Sequence, residues 1–225
     1  MYRKIAIIGA GGLGKEILSI LEACNEERPQ FEILGFIVHA QYGAPGTLVN
    51  DFPILGGFDW VSSHAHQVEF VCGVGAPQDR LRLVGEARQA GGRFCTVCHP
   101  TATLSRTVTL GEGTVLMPLS GLTSSIRIGA HVVVNPGCTI DHDTNIGDFV
   151  TLSPGVHIAG HVTIGEGCNI GIGASIIDRR TVGAWSIIGA GAIITNDIPP
   201  NVTAVGVPAR VIKSRPDAWH ITGNI

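Results

Sequence analysis

His142 stands between two carboxylates in Asp141-His142-Asp143, and two more histidines, His157 and His161, follow within the next twenty residues. An imidazole beside a carboxylate can act as a general base. The acid holds the proton of one ring nitrogen, and the other nitrogen is left to take a proton from a nucleophile. Ala159-Gly160 lies just before His161. A glycine offers an unshielded backbone N–H, a donor suited to an oxyanion. A second candidate sits near the start of the chain, in Gly9-Ala-Gly11-Gly12-Leu-Gly14. Glycines of this spacing let a backbone approach a phosphate. Corners of a protein surface also carry His and Asp with no chemical role, so residue types alone leave both readings open.

The elements that position these residues are legible in a repeat. From Leu104 to Ile194 every sixth residue is Leu, Ile or Val, sixteen in a row without a gap. A helix face repeats near 3.6 residues, so a period of six excludes a helix. It reads as a short strand plus a corner, the mark of a β-helix. Two residues before each aliphatic lies a mostly small or β-branched residue, such as Val132, Cys138, Val150 and Val156. Alternation along a strand points both columns inward. The residue after the aliphatic is often Gly, Asn, Asp or Ser, as at Gly111, Gly129, Asn135, Asp141, Gly147 and Gly165. These types tolerate a left-handed backbone, and the turn of each hexad is expected there.

The repeat resembles that of the left-handed parallel β-helix, in which three strands and three corners make one coil of 18 residues, so residues i and i+18 are expected to stack. Gly160 then stacks on His142, and His161 on Asp143. A three-histidine zinc site, as in β-helices of the carbonic anhydrase type, is the competing reading. His157 and His161 are four apart, which puts them on different sides of a corner, and no histidine lies a whole coil from His142. No metal is expected.

The first third alternates strand and helix. Residues 3–8 read as a buried parallel strand, followed by the Gly-rich turn and an apolar helical stripe at Leu13, Ile17, Leu18, Leu21 and Cys24. Strands near 31–38, 68–74 and 94–97 and a helix near 78–90 complete a reduced Rossmann-like unit. It looks short for a full dinucleotide fold. The second strand ends Phe36-Ile37-Val38-His39, without the acid that holds an NAD ribose. A nucleoside-diphosphate ligand fits better than NAD.

The 225 residues carry a net charge of −3, with 15% charged and 5% aromatic residues. There is no basic run, so nucleic acid is not an expected partner. The mean hydropathy of +0.32 suits a Val/Ile-rich parallel core with buried subunit contacts. No apolar stretch is long enough to span a membrane, and a cytoplasmic location is expected. Of six cysteines, Cys138 and Cys168 fall in the inward column. Cys95-Thr-Val-Cys98-His99 matches a haem-attachment pattern, but a strand leading straight into the repeat leaves no haem pocket. No Cys or Ser is paired with a base, which argues against a covalent intermediate.

Read in order, Gly-Ala-Gly-Gly-Leu-Gly-Lys, His99-Pro100-Thr101-Ala102, Asn135-Pro136-Gly137-Cys138, Asp141-His142-Asp143, Ile146-Gly147-Asp148-Phe149, Ala159-Gly160 and Gly206-Val207-Pro208-Ala209-Arg210 resemble the bacterial sugar O/N-acyltransferases with hexapeptide repeats. These include sialic-acid O-acetyltransferases and nucleotide-amino-sugar N-acetyltransferases. The resemblance runs over roughly residues 3–212. It implies an α/β Rossmann-like domain (1–97) for a nucleotide sugar, a left-handed parallel β-helix (98–212) and a C-terminal tail (213–225). It implies a homotrimer that uses acetyl-CoA as co-substrate and no metal. His142 takes the place of the catalytic base, Asp143 of its acidic partner and Gly160 of the backbone donor to the thioester carbonyl. Gly9, Gly11, Gly12, Gly14, Gly75 and Arg80 match substrate-binding positions. Ala159, Gly160, Ile172, Gly173, Ala190, Gly191 and Pro208 match positions along the CoA. Thr151 replaces a second histidine of many relatives, and Val38-His39 replaces their acidic residues. The expected activity is N-acetylation of a nucleotide-linked amino sugar. O-acetylation of a sialic-acid-like sugar and a non-catalytic nucleotide-sugar-binding scaffold are the alternatives.

Overall fold

A computed structural model describes residues 2–222 and divides the chain into two compact units. One holds residues up to 75 and 79–100, the other residues 76–78 and 101 onward. Among the described residues no helix is long and apolar enough to cross a membrane.

The first unit is a six-stranded sheet with helices: β1 (Arg3–Ile8), α1 (Gly12–Glu27), β2 (Phe31–Ile37), β3 (Leu48–Val49), β4 (Phe52–Gly56), α2 (Phe58–His64), β5 (Val68–Cys72), α3 (Pro77–Gln89) and β6 (Arg93–Phe94). The sheet order is β3-β4-β2-β1-β5-β6, parallel except for the β3–β4 hairpin. β1 lies in the middle and is shielded on both faces, with Ile5 to Ile8 at most 1% exposed. The stripe Ile17, Leu18, Ile20, Leu21 and Cys24 seals α1 onto the sheet. The chain builds outward from β1 through β2 to β4, then returns to the other side at β5. Ligands of such sheets bind at this reversal, beyond the carboxyl ends of the strands. β4 and α2 have no counterpart in the sequence-based expectations. Pro53 interrupts the strand signal of a five-residue run, and α2 has only seven residues. The strand expected at 94–97 is two strands, β6 and Val97–Cys98.

The second unit is a parallel β-helix with two-residue strands. Val115 pairs with Val133, Thr139 with His157 and Thr163 with Thr181, each an offset of 18. Both inward columns face the core, apart from Arg180 in the small column, whose side chain is 31% exposed and reaches Asp197. From Leu116 to Ile194 the aliphatic column is at most 4% exposed. Leu104 and Leu110 belong to the first coil, which has a coil on one side only; Leu104 is 42% exposed. Thr114, Ser120, Thr144 and Ser186 occupy the small inward column and are buried. Each hydroxyl donates to a nearby backbone carbonyl, which removes the cost of burying it.

The turns are not where the glycines suggest. Left-handed residues recur every sixth position from Gly113 to Gly191, three residues after each aliphatic. Eight of them carry side chains: Leu119, Ser125, His131, Asp143, Phe149, His161, Arg179 and Trp185, with φ of 55–60°. The glycines that directly follow the aliphatics have no positive φ. They are glycine for lack of room. A Cβ on Gly147, Gly165 or Gly171 would lie 2.5–2.7 Å from a backbone nitrogen of the next coil.

After Ile194 the register tightens to an offset of 16, with Ile187 beside Thr203. The strand Arg210–Ser214 then returns antiparallel along Val202–Val205. Residues 213–222, expected as a tail, pack onto the unit. The His220 ring stacks on Trp185 at 3.6 Å, and Arg215 lies 4.5 Å over the Trp219 ring.

Leu152, fully buried mid-stack, and Leu104, at the open end, occupy the same column. Leu152→Ala should cost about 2–5 kcal/mol and Leu104→Ala clearly less. Thermal melts of the two variants check this, and equal shifts would contradict the packing gradient.

Candidate active site

His142 and Asp143 sit on one corner of the β-helix. Asp143 holds the left-handed position, φ 57°. This turns its carboxylate toward the preceding residue, and His142 Nδ1 lies 2.9 Å from Asp143 Oδ2. With the proton on Nδ1 donated to the acid, Nε2 carries a lone pair and is the basic nitrogen. Both side chains are about half exposed, at 54% and 49%, so a substrate can reach them.

Gly160 lies one coil on, against the ring. A Cβ there would fall 2.7 Å from His142 Cε1 and 2.9 Å from Nε2. Its φ is not in the left-handed region, so the reason for glycine here is the imidazole, which any side chain would push aside. The Gly160 N–H makes no hydrogen bond to any of the described residues, while its carbonyl accepts from Arg179 N at 3.0 Å. A basic nitrogen and an unused donor thus flank one space at the corner.

His161 also belongs to this cluster. Its N–H donates to the His142 carbonyl at 2.9 Å. Its Nε2 is 3.9 Å from Asp143 Oδ2, and its ring meets the His142 ring edge-on at 5.2 Å. The spacing argument against neighbouring histidines considered whole coils only. His161 is one residue beyond a whole coil, and the ring bridges that step. His157 points elsewhere and bonds Thr139 Oγ1. Thr151, at the place of a second histidine, is buried.

The positions matched to CoA fall on two corners. Ala159 and Gly160 are at the His142 corner. Ile172, Gly173, Ala190 and Gly191 lie two corners further round the coil, joined by the Gly191 N–H to Ile172 carbonyl bond. Gly206 to Ala209 continue that second corner, with Ile193 N donating to Gly206 O and Ala209 N to Ile193 O.

In the first unit a cavity of about 480 Å³ opens at the ends of β1 and β2. Gly9, Ala10, Gly11, His39, Tyr42, Phe58, Asp79 and Arg82 line it. A second cavity of about 620 Å³ shares Val38, His39 and Phe58 with it. The glycines divide by task. Gly9 has φ 97°. Gly14 is not at the cavity; it packs under the Gly9 carbonyl and against Gly73. Added Cβ atoms on Gly11, Gly12 and Gly75 would meet nothing within 4 Å. No side chain caps the start of α1, which leaves its first amides able to donate to an anion. Arg80, matched to a substrate position, is instead 1% exposed. Its guanidinium donates to the Val74 and Gly75 carbonyls, both at 2.8 Å, and burial lowers its pKa to about 10. It positions the loop after β5. His39 takes the place of the ribose acid. Its Nε2 is 3.1 Å from Glu86 Oε2, and its ring tilts on Phe58 at 5.1 Å. Sequence reasoning missed Glu86, Phe58 and Tyr42: the α3 face brings Glu86 to His39 and the hidden α2 brings Phe58, while Tyr42 ends a short turn, Ala40–Tyr42, and its N–H bonds the His39 carbonyl.

Thiols are poor nucleophiles here. Burial pushes Cys72, Cys98 and Cys138 up to about 11 and Cys95 and Cys168 up to about 12, so the reactive thiolate is scarce at neutral pH.

Residues 4–87 match the PglD N-terminal domain family, and residues 143–176 match the bacterial transferase hexapeptide family. UDP-N-acetylbacillosamine N-acetyltransferase of Bacillus subtilis is 34% identical over 125 residues. That match spans about half the length of the curated relative, 51%, and 51% of this chain. The acetyltransferase domain of PglB from Neisseria gonorrhoeae, solved with acetyl coenzyme A, superimposes with a TM-score of 0.84 at 33% identity. It covers 94% of this chain and 100% of that one. A histidine variant of perosamine N-acetyltransferase from Caulobacter crescentus, solved with CoA and GDP-perosamine, gives a TM-score of 0.83 at 31% identity, over 92% and 96% of the two chains. With a matching N-terminal unit and a matching β-helix over nearly the whole chain, this chain belongs to the PglD-like nucleotide-sugar N-acetyltransferases with hexapeptide repeats.

Proposed function

We propose that the protein transfers the acetyl group of acetyl-CoA directly to the amine of a nucleotide-linked amino sugar, with His142 as general base. The observation that carries this reading is the His142–Asp143 pair set against Gly160. The neutral amine attacks the thioester carbonyl carbon. A C–N bond forms, and the carbonyl oxygen takes up negative charge. The Gly160 N–H donates to that oxyanion. His142 Nε2 takes the amine proton, and Asp143 stabilises the resulting imidazolium. Collapse breaks the C–S bond, and the CoA thiolate recovers a proton from His142. Complexes of relatives with acetyl coenzyme A, and with CoA and GDP-perosamine, support both substrates. The cavity at Gly9 to Gly11, at the head of α1, suits the diphosphate of the nucleotide.

The two-corner arrangement supports a trimer. Corners at different vertices of one coil cannot grip the same pantetheine arm, whereas the His142 corner of one subunit can face the Gly173–Gly191 corner of another. A closed ring of three satisfies every subunit alike. Exposed Leu119, Ile172 and Val207, at 72%, 61% and 70%, lie on that second corner and would be covered.

Three outcomes are expected. His142→Ala should lower kcat by about 10²–10⁴-fold with both substrates still bound and the melting temperature unchanged, because the side chain is outside the core. Retention of full kcat sinks the assignment. Gly11→Val should fold, since its side chain enters open space, and should raise the acceptor KM without weakening acetyl-CoA binding. An unchanged acceptor KM gives the first unit another job. Light scattering at micromolar concentration should return the mass of three chains; a monomer would refute the shared site.

A further inference from the structure

We propose that His142, Asp143 and His161 also form a site for a divalent transition-metal ion of the zinc type, and that the ion switches acetyl transfer off. The inhibitory half rests on the reading of His142 as the base; the site itself does not.

The transfer step leaves His161 without a task, yet the fold places it with care. Asp143 and His161 are consecutive members of the same left-handed column, and one residue before it His142 turns back to them. One ligand atom from each of the three residues lies within 4.8 Å of the others. His142 Nδ1 is 2.9 Å and His161 Nε2 3.9 Å from Asp143 Oδ2. A tetrahedral zinc ion bonds imidazole nitrogen and carboxylate oxygen at about 2.0–2.2 Å, which sets its ligands about 3.3 Å apart. The observed separations bracket that value. The three side chains are 42–54% exposed, so small rotations close the difference and an ion can enter from solvent. A fourth position remains for water. The nearest cation along the column, Arg179, has its Nε 3.7 Å from Asp178, and its charge is met there. Two imidazoles and one carboxylate select zinc, nickel or cobalt over magnesium or calcium, which take all-oxygen shells.

The same geometry dictates the effect. A metal on Nδ1 of His142 displaces the hydrogen bond to Asp143 and moves the single ring proton to Nε2. A protonated Nε2 donates and cannot accept. The amine proton then has no base, although no residue has changed and the Gly160 donor is intact. Metal and transfer are mutually exclusive through the tautomer of one ring.

Calorimetry of zinc chloride into the chelator-stripped full chain should give one ion per protomer, and magnesium chloride should give no binding. His161→Asn keeps a residue that tolerates φ 57° but removes the imidazole; it should weaken zinc binding at least about tenfold. Cobalt(II) should show the visible absorption of a tetrahedral site in the wild type and lose it in Asp143→Asn. In the assay, zinc should inhibit the wild type reversibly, with activity restored by chelator, and His161→Asn should need at least about tenfold more zinc. No zinc heat, undiminished binding by His161→Asn, or loss of binding in Cys98→Ser instead would each overturn the site. Stoichiometric zinc that leaves the rate untouched would overturn the switch. None of the binding measurements uses a substrate, so a failed base assignment, seen as full kcat in His142→Ala, is told apart from a failed metal site.

Discussion

The parallel ladder with its offset of 18 residues constrains everything else in the second unit. Along each side, N–H groups such as those of Val133 and Asn135 reach carbonyls of the next coil, at Val150 and Leu152, so coils sit at the strand spacing of about 4.8 Å. No side chain can exceed the room that this spacing leaves. Inward positions must therefore be small in one column and branched in the other. Positions beside the neighbouring coil must be glycine where a backbone or a ring presses on them. Gly147 yields to backbone, Gly167 to the Trp185 ring and Gly160 to the His142 ring. The His142–Gly160 contact is thus a special case of the packing rule, with an imidazole in the space that a Cβ would fill.

The left-handed corners are the cost of this regularity. A residue with a side chain gives up about 1–2 kcal/mol in that conformation, and eight of them do so between Leu119 and Trp185. The ladder bonds on either side of each corner hold them there. One corner exploits the direction this imposes. His131 covers Gly113 and stacks on Phe149, Trp185 covers Gly167, and His220 closes the row on Trp185. At the other corner the same direction folds Asp143 back onto His142 and lays His161 beside them. Strain that elsewhere holds an aromatic row here orients an imidazole–carboxylate pair.

The β-helix was legible because its signal is carried by residue type at a fixed period. The inward columns, the 18-residue register and the pairing of His142 with Gly160 need only counting. The corner column was not legible, because Leu119, Phe149, Arg179 and Trp185 share no residue type; what they share is a dihedral angle imposed by the ladder. The glycines drew attention to the wrong position for the same reason: they mark a lack of room, and left-handed backbone is only the more familiar reason for a glycine. The same count placed His161 on Asp143, but its ring contact with His142 escaped because stacking was counted between backbones, while imidazoles reach across a register step. In the first unit the Gly-rich turn and α1 were plain from their stripe and glycines. The β4–α2 segment was hidden by Pro53 and by its own brevity, and with it went the wall of the cavity around His39. Arg80 was misplaced because a long cation in a ligand-binding unit looks like a ligand contact, whereas two loop carbonyls in the interior hold it just as firmly.

Because every corner repeats one backbone geometry, the position of the His142–Asp143 pair along the helix axis is a digital coordinate. It can take only values separated by one coil, about 4.8 Å. Adding or removing a coil before residue 142 would carry His142, Asp143 and the glycine facing them along as a unit, with their mutual distances preserved. The distance of this corner from either end of the stack is then set by counting coils, and the fine geometry of the imidazole–carboxylate pair never has to be solved again.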